Sequence, residues 1–136
     1  MINALLIQAL PGVHEPDGLV RLTNGDFSYP LFEELMFLYL TTVGRRTGLP
    51  REIEIWYTER DGRFYLIAEH REHANWVRNI RANPQVHVRI EDRHFIAGAR
   101  LVDSGREPEL AEAVKALSEA KYGWSDGLIV EITPIG

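Results

Sequence analysis

The chain contains no cysteine. It therefore has no disulfide framework, no thiolate nucleophile and no thiolate metal ligand, a usage that suits a reducing cytoplasm. Lysine is nearly absent as well: of 15 basic residues only Lys115 and Lys121 are lysines, and the others are arginines. No hydrophobic run approaches the length of a membrane span. The apolar stretch near the start, residues 4–10, is short and has no basic residue before it. A formal net charge of −5 lacks the broad cationic excess that nucleic acid demands of a partner. There is also no G-x-G-x-x-G, no Walker loop and no G-x-S-x-G elbow, and Ser104, Ser118 and Ser125 have no local pattern for nucleophilic catalysis. These absences leave a soluble cytoplasmic protein with no integral membrane segment, acting on a small molecule and taking its chemistry from a bound cofactor.

Among what is present, residues 40–51, L-T-T-V-G-R-R-T-G-L-P-R, carry the most information. They put Arg45, Arg46 and Arg51 with the hydroxyls of Thr41, Thr42 and Thr47 on or beside a turn bracketed by Gly44 and Gly48. An apolar run precedes the turn and the alternating run Ile53-Glu54-Ile55-Trp56-Tyr57 follows it, which predicts strand, tight turn, strand. Guanidinium forks and exposed backbone N–H groups at such a corner suit phosphate or carboxylate oxygens.

At 136 residues the chain has room for one core. Residues 1–28 read as an N-terminal extension, with a short apolar helix around Leu5–Leu10 interrupted by Pro11-Gly12, and residues 29–136 as one domain. A short helix is expected over 31–36 after Pro30. Strands are expected over 37–43, 51–58 and 64–69, the last two joined by an Asp61-Gly62 hairpin turn. A helix over 72–82 places Trp76, Val77 and Ile80 at core spacing and ends at Asn83-Pro84. Strands over 85–90 and 95–102 follow. A helix over 107–122 then has Pro108 in its first turn, a stripe of Leu110, Val114 and Leu117, and Gly123 at a left-handed exit. A strand over 128–133 closes the chain. Six half-buried antiparallel strands with two flanking helices predict an α+β, mainly β, small split barrel and exclude a doubly wound parallel sheet.

A second polar cluster, Glu69-His70-Arg71-Glu72-His73, lies where the third strand meets the helix. His70 and His73 straddle a corner and lack an H-E-x-x-H frame, so an anion site or polar corner is expected there and no metal. Trp56 shares its strand face with glutamates and, with Trp124, is assigned to the substrate side. Tyr122 is the candidate to donate a hydrogen bond to a developing oxyanion.

The runs L-T-T-V-G-R-R-T-G-L-P-R, W-Y-T-E-R-D-G-R-F-Y-L-I-A (56–68) and N-W-V-R-N-I-R-A-N-P-Q-V-H-V-R-I (75–90) resemble the deazaflavin-dependent nitroreductase family. The resemblance implies the split β-barrel of the FMN-binding superfamily. It also implies coenzyme F420, an 8-hydroxy-5-deazaflavin, and hydride transfer from its reduced form to a quinone, nitroaromatic or activated alkene. It assigns the phosphate and tail of the coenzyme to Arg45, Arg46, Thr47, Gly48 and Arg51, and a contact with both the phosphate and the ring edge to Ala68, Glu69, His70 and Arg71. Trp76 would pack beside the coenzyme with Asn79 close by. Two positions depart from the family pattern: Glu69-His70-Arg71 stands where relatives often carry serine and lysine, and Glu54 where they often carry an apolar residue or proline. FMN on the same barrel, and a non-catalytic carrier of a flavin or lipid anion, are alternatives that the residues leave open. A homodimer is expected by analogy.

Overall fold

The computed structural model describes residues 37–135 and, before them, two short paired strands, β1 (Val20–Arg21) and β2 (Phe27–Ser28). The expected helices near residues 5–10 and over 31–36 lie outside the described residues, as does the chain that follows the expected boundary at residue 28, up to residue 36.

From Phe37 the chain forms one curled antiparallel sheet. In β3 (Phe37–Val43) Leu38, Leu40 and Thr42 point inward and are buried, and β4 (Pro50–Trp56) answers with Ile53 and Ile55. The pairs Leu40↔Ile53 and Leu38↔Ile55 show that register is set by matching the two inward sets. Beyond Tyr57 the chain continues as β5 (Thr58–Arg60), turns at Asp61-Gly62 and returns as β6 (Arg63–Ala68). Positive φ at both turn residues, 53° and 76°, is the geometry that matches the twist of a two-residue hairpin. A single 3-10 turn (Arg71–His73) leads to α1 (Asn75–Ala82). Then come β7 (Gln85–Ile90), β8 (Arg93–Leu101), α2 (Pro108–Tyr122) and β9 (Leu128–Pro134).

The sheet order is β4-β3-β7-β8-β9-β6-β5. Its two edges are thus consecutive pieces of one segment, and the sheet closes on itself where that segment bends at Tyr57. The strand expected over 51–58 is two strands for this reason, and the sheet has seven rather than six. The first piece pairs with β3, the second with β6. At the bend the peptide groups of Tyr57 leave one ladder for the other, and the Tyr122 hydroxyl takes both. It accepts from the Tyr57 N–H at 3.0 Å and donates to the Tyr57 carbonyl at 2.6 Å.

Two apolar clusters follow. Inside the barrel, Leu38, Leu40, Ile55, Leu66, Val88, Val130 and Ile132 pack with Trp76, Val77 and Ile80 of α1. On the outer face α2 covers Tyr65, Ile67 and Ile129. The buried face of α2 is Ala111, Val114, Ser118 and Tyr122, whereas Leu117, expected in the stripe, is 36% exposed. Small residues at this spacing let the helix lie close to the sheet, and Gly123 ends it at φ 73°. The helix expected over 72–82 breaks at Ala74, whose extended ψ of 135° separates the 3-10 turn from α1.

Candidate functional site

The β3–β4 corner is tightly built. The Gly44 N–H donates to Leu49 O and the Gly48 N–H to Gly44 O, both at 2.8 Å, and the Leu49 N–H donates to Thr47 Oγ1 at 3.1 Å. A Cβ on Gly44 would stand 2.8 Å from Thr47 Oγ1, and Gly48 has φ 73°, so both positions favour glycine. With its own backbone held this way, the loop projects its side chains over the end of α1.

Between the corner and α1 lies a cleft of about 370 Å³. Thr42, Gly44, Arg45, Arg46, Thr47, Arg51 and Ile53 line it from the strands, and Asn75, Trp76 and Asn79 from the helix. Arg45 is fixed in place: one guanidinium nitrogen donates to Asn79 Oδ1 at 3.0 Å and another to Asn75 Oδ1 at 3.3 Å. The Arg45 backbone N–H also donates to Asn79 Oδ1, at 3.2 Å, and Asn79 Nδ2 donates to Thr42 Oγ1 at 3.0 Å. Among the described residues, Arg60, Arg71, Arg89, Arg100 and Arg106 have carboxylate partners, but Arg45, Arg46 and Arg51 have none. Three cations without acids around one cleft, beside an indole and an isoleucine, form a site for an anion joined to an apolar ring.

Of the residues assigned from sequence, Arg45, Arg46, Thr47, Arg51, Trp76 and Asn79 line this cleft, and Gly48 holds its loop. Ala68, Glu69, His70 and Arg71 do not line it. Ala68 is fully buried at the end of β6, and its carbonyl packs so closely on Gly127 that no side chain fits there. Arg71, at φ 52°, pairs with Asp126 at 2.7 Å and faces a separate groove beside Leu101, Ser104 and Lys115.

Trp56, Tyr122 and Trp124 are likewise brought together elsewhere, on the outer face under α2. The Trp56 and Tyr122 rings stack at 4.2 Å and 6°, and Trp124 meets Trp56 edge-on at 6.4 Å. The void among them is about 10 Å³, about enough for one water and far too small for a substrate. Trp56 and Trp124, expected on the substrate side, and Tyr122, expected as a hydrogen-bond donor to an oxyanion, thus lie apart from the cationic cleft. The Tyr122 hydroxyl is spent on the Tyr57 backbone, and burial pushes its pKa well above the ordinary value, which keeps it protonated. Sequence reasoning placed Thr42 beside the turn without giving it a contact, and left Ile53 and Asn75 out of the site. The signals were there: Thr42 continues the inward alternation of Leu38 and Leu40, and Asn75 lies one helical turn before Asn79.

A curled seven-stranded antiparallel sheet with a cationic, glycine-held corner defines a protein of the split-barrel class. Solved structures agree on the fold. The heme storage protein of Vibrio cholerae aligns at a TM-score of 0.61 and 22% identity, covering 76% of this chain and 84% of that one. An F420-H2 dependent reductase aligns at a TM-score of 0.52 and 27% identity, covering 71% and 92%. The sequence model of the F420H(2)-dependent quinone reductase family matches residues 14–126, and the chain belongs to that family. An F420H(2)-dependent quinone reductase of Mycobacterium tuberculosis is 29% identical over 107 residues, 76% of this chain and 70% of that protein. Among the described residues no helix is long and apolar enough to cross a membrane.

Proposed function

We propose that the protein is a reductase that holds coenzyme F420 at the β3–β4 corner and passes its hydride to a quinone. The observation that carries this reading is the set Arg45, Arg46 and Arg51, three guanidiniums around one cleft with no carboxylate partner among the described residues. When bound, the reduced coenzyme supplies the hydride; the chain supplies position. The arginines and the Thr47 hydroxyl take phosphate and carboxylate oxygens of the coenzyme. Trp76 and Ile53 offer apolar surface to the ring and keep water from it. Holding donor and acceptor together lowers the barrier without a protein nucleophile. Family membership and the 27% identical F420-H2 dependent reductase favour F420 over FMN. Nitroaromatics and activated alkenes, which also accept hydride at an electron-poor atom, belong to the proposed substrate range, and a cytoplasmic homodimer to the proposed assembly.

The test is equilibrium titration with F420 and with FMN, followed by mixing F420H2 with a naphthoquinone and recording oxidation of the coenzyme. Tighter binding of F420 than FMN, with catalytic turnover, is expected. Preference for FMN would replace the cofactor, binding without turnover would make the protein a carrier, and failure to bind either would sink the reading. Sedimentation of the purified chain tests the dimer.

A further inference from the structure

Among the described residues, Arg45 is held by neutral groups alone. Two carboxamides one helical turn apart, Asn75 and Asn79, accept from its guanidinium, and Asn79 accepts from its backbone N–H as well. Asn79 is the central piece. It is 4% exposed, its Oδ1 takes two hydrogen bonds from Arg45, and its Nδ2 is spent on the buried Thr42 hydroxyl at 3.0 Å. Two other arginines of the described chain show the alternative: Arg100 is held between Glu107 and Glu131, and Arg71 by Asp126, whereas Arg78 donates to the neutral Glu72 carbonyl. A carboxylate would orient Arg45 equally well, since it offers the same oxygen, and it would also cancel the charge.

We infer that Asn79 is a positioning residue for the anion site: it fixes the Arg45 guanidinium toward the cleft through a neutral carboxamide, so that the full positive charge is left for a phosphate-class ligand. The inference rests on the reading of the cleft as a cofactor site, and it assigns Asn79 no contact with the ligand. Two of the five guanidinium N–H groups are occupied by Asn75 and Asn79. The others remain for ligand oxygens, and the hydrogen bonds that order the side chain are already made before binding. Pre-ordering removes part of the entropy cost that a free arginine would carry on meeting an anion.

Two substitutions separate orientation from charge. Asn79→Asp keeps the oxygen that faces Arg45, and the Thr42 hydroxyl can reverse its role and donate to the second oxygen, so the geometry persists and only the charge changes. Asn79→Leu keeps the approximate volume and removes the hydrogen bonds without adding charge. Affinity of the full chain for F420, and separately for inorganic pyrophosphate, would be measured at low and high salt for wild type, both variants, Arg45→Ala and Arg45→Ala/Asn79→Leu, with a thermal melt of each. Asn79→Asp is expected to lose about tenfold or more in affinity, with a shallower salt dependence, because one cation has been neutralised. Asn79→Leu should lose less and keep the steeper salt dependence. The double variant should bind no worse than Arg45→Ala, because Asn79 acts through Arg45.

Wild-type affinity in Asn79→Asp, or additive losses in the double variant, would overturn the inference. If Asn79→Leu fails to fold, Asn79→Asp alone decides. Should wild type take pyrophosphate but not F420, the cofactor reading fails while the role of Asn79 is still decided on pyrophosphate. Binding of neither overturns both.

Discussion

Strand β4 begins at the cationic corner and ends at the bend beside Tyr57, and its two ends treat the same kinds of side chain in opposite ways. At the corner, Arg45, Arg46, Arg51 and Trp76 surround an open cleft, and the guanidiniums keep their charge. At the bend, Trp56, Tyr122 and Trp124 pack face to face and edge to face under α2, and Lys121 and Tyr122 both donate to the Tyr57 carbonyl. An aromatic group beside a hydrogen-bond donor is a site in the first place and a fastening in the second. The difference lies in what the donors have left to give: a donor already engaged with backbone cannot serve a ligand.

The sharpest way to break this contrast is Tyr122→Phe. Loss of the hydroxyl leaves the buried Tyr57 N–H without its acceptor, and stability should fall by about 2–4 kcal/mol. Coenzyme affinity of the molecules that remain folded should be unchanged. Urea denaturation and titration below the melting range measure both, and a loss of turnover without loss of stability would return Tyr122 to the reaction.

Next come Arg45→Ala and Arg51→Ala. Each should weaken F420 binding by roughly 1.5–3 kcal/mol, with the loss shrinking as salt rises. Stability should move by no more than about 0.5 kcal/mol, because neither guanidinium has an acid partner among the described residues and the Arg45 backbone still satisfies Asn79. Calorimetric titration with parallel melts tests the pair, and equal effects on stability and binding would erase the distinction between the two ends of the strand.

Lys121 gives a pH test of the sealed end. Burial lowers its pKa from 10.5 to about 8, although it hydrogen-bonds to Tyr57 O at 2.8 Å and its ammonium lies 4.1 Å from the centre of the Tyr57 ring. Because the folded form binds the proton less tightly than the unfolded chain, the charged lysine opposes folding below about pH 8. That cost is relieved as pH rises from about 8 toward 10.5. Wild type should gain on the order of 2–3 kcal/mol over this window relative to Lys121→Met. Parallel stability curves for the two proteins would show that the lysine is not desolvated.

The smallest effect concerns Thr58. Among the described residues, its Oγ1 and Trp56 Nε1 are buried without a hydrogen-bond partner. Thr58→Val removes an unsatisfied polar atom at nearly constant shape, so stability should stay within about 0.5 kcal/mol or rise. A loss well beyond that in a thermal melt would mean that the hydroxyl is engaged.

Local patterns in the chain determined most of the elements. Alternation of Leu38, Leu40 and Thr42, and of Val86, Val88 and Ile90, marks β3 and β7 with their observed limits, because a strand that buries one face must repeat every second residue. Gly123 ends α2 because few other residues tolerate φ 73°. The crowding of Arg45, Arg46, Thr47 and Arg51 about a glycine turn was equally local, and so was the family likeness carried by the same residues. What tertiary structure alone decided was partnership. Nothing near Tyr57 in sequence says that its peptide groups will change ladders and recruit the hydroxyl of Tyr122. Nothing near Arg71 says that it will turn to Asp126 rather than to the cleft. Nor does Asn79 by itself announce that it will be closed over Arg45 and Thr42. Whether a polar side chain is available to a ligand depends on which groups distant in the chain have already claimed its hydrogen bonds, and only the closed barrel sets those neighbours.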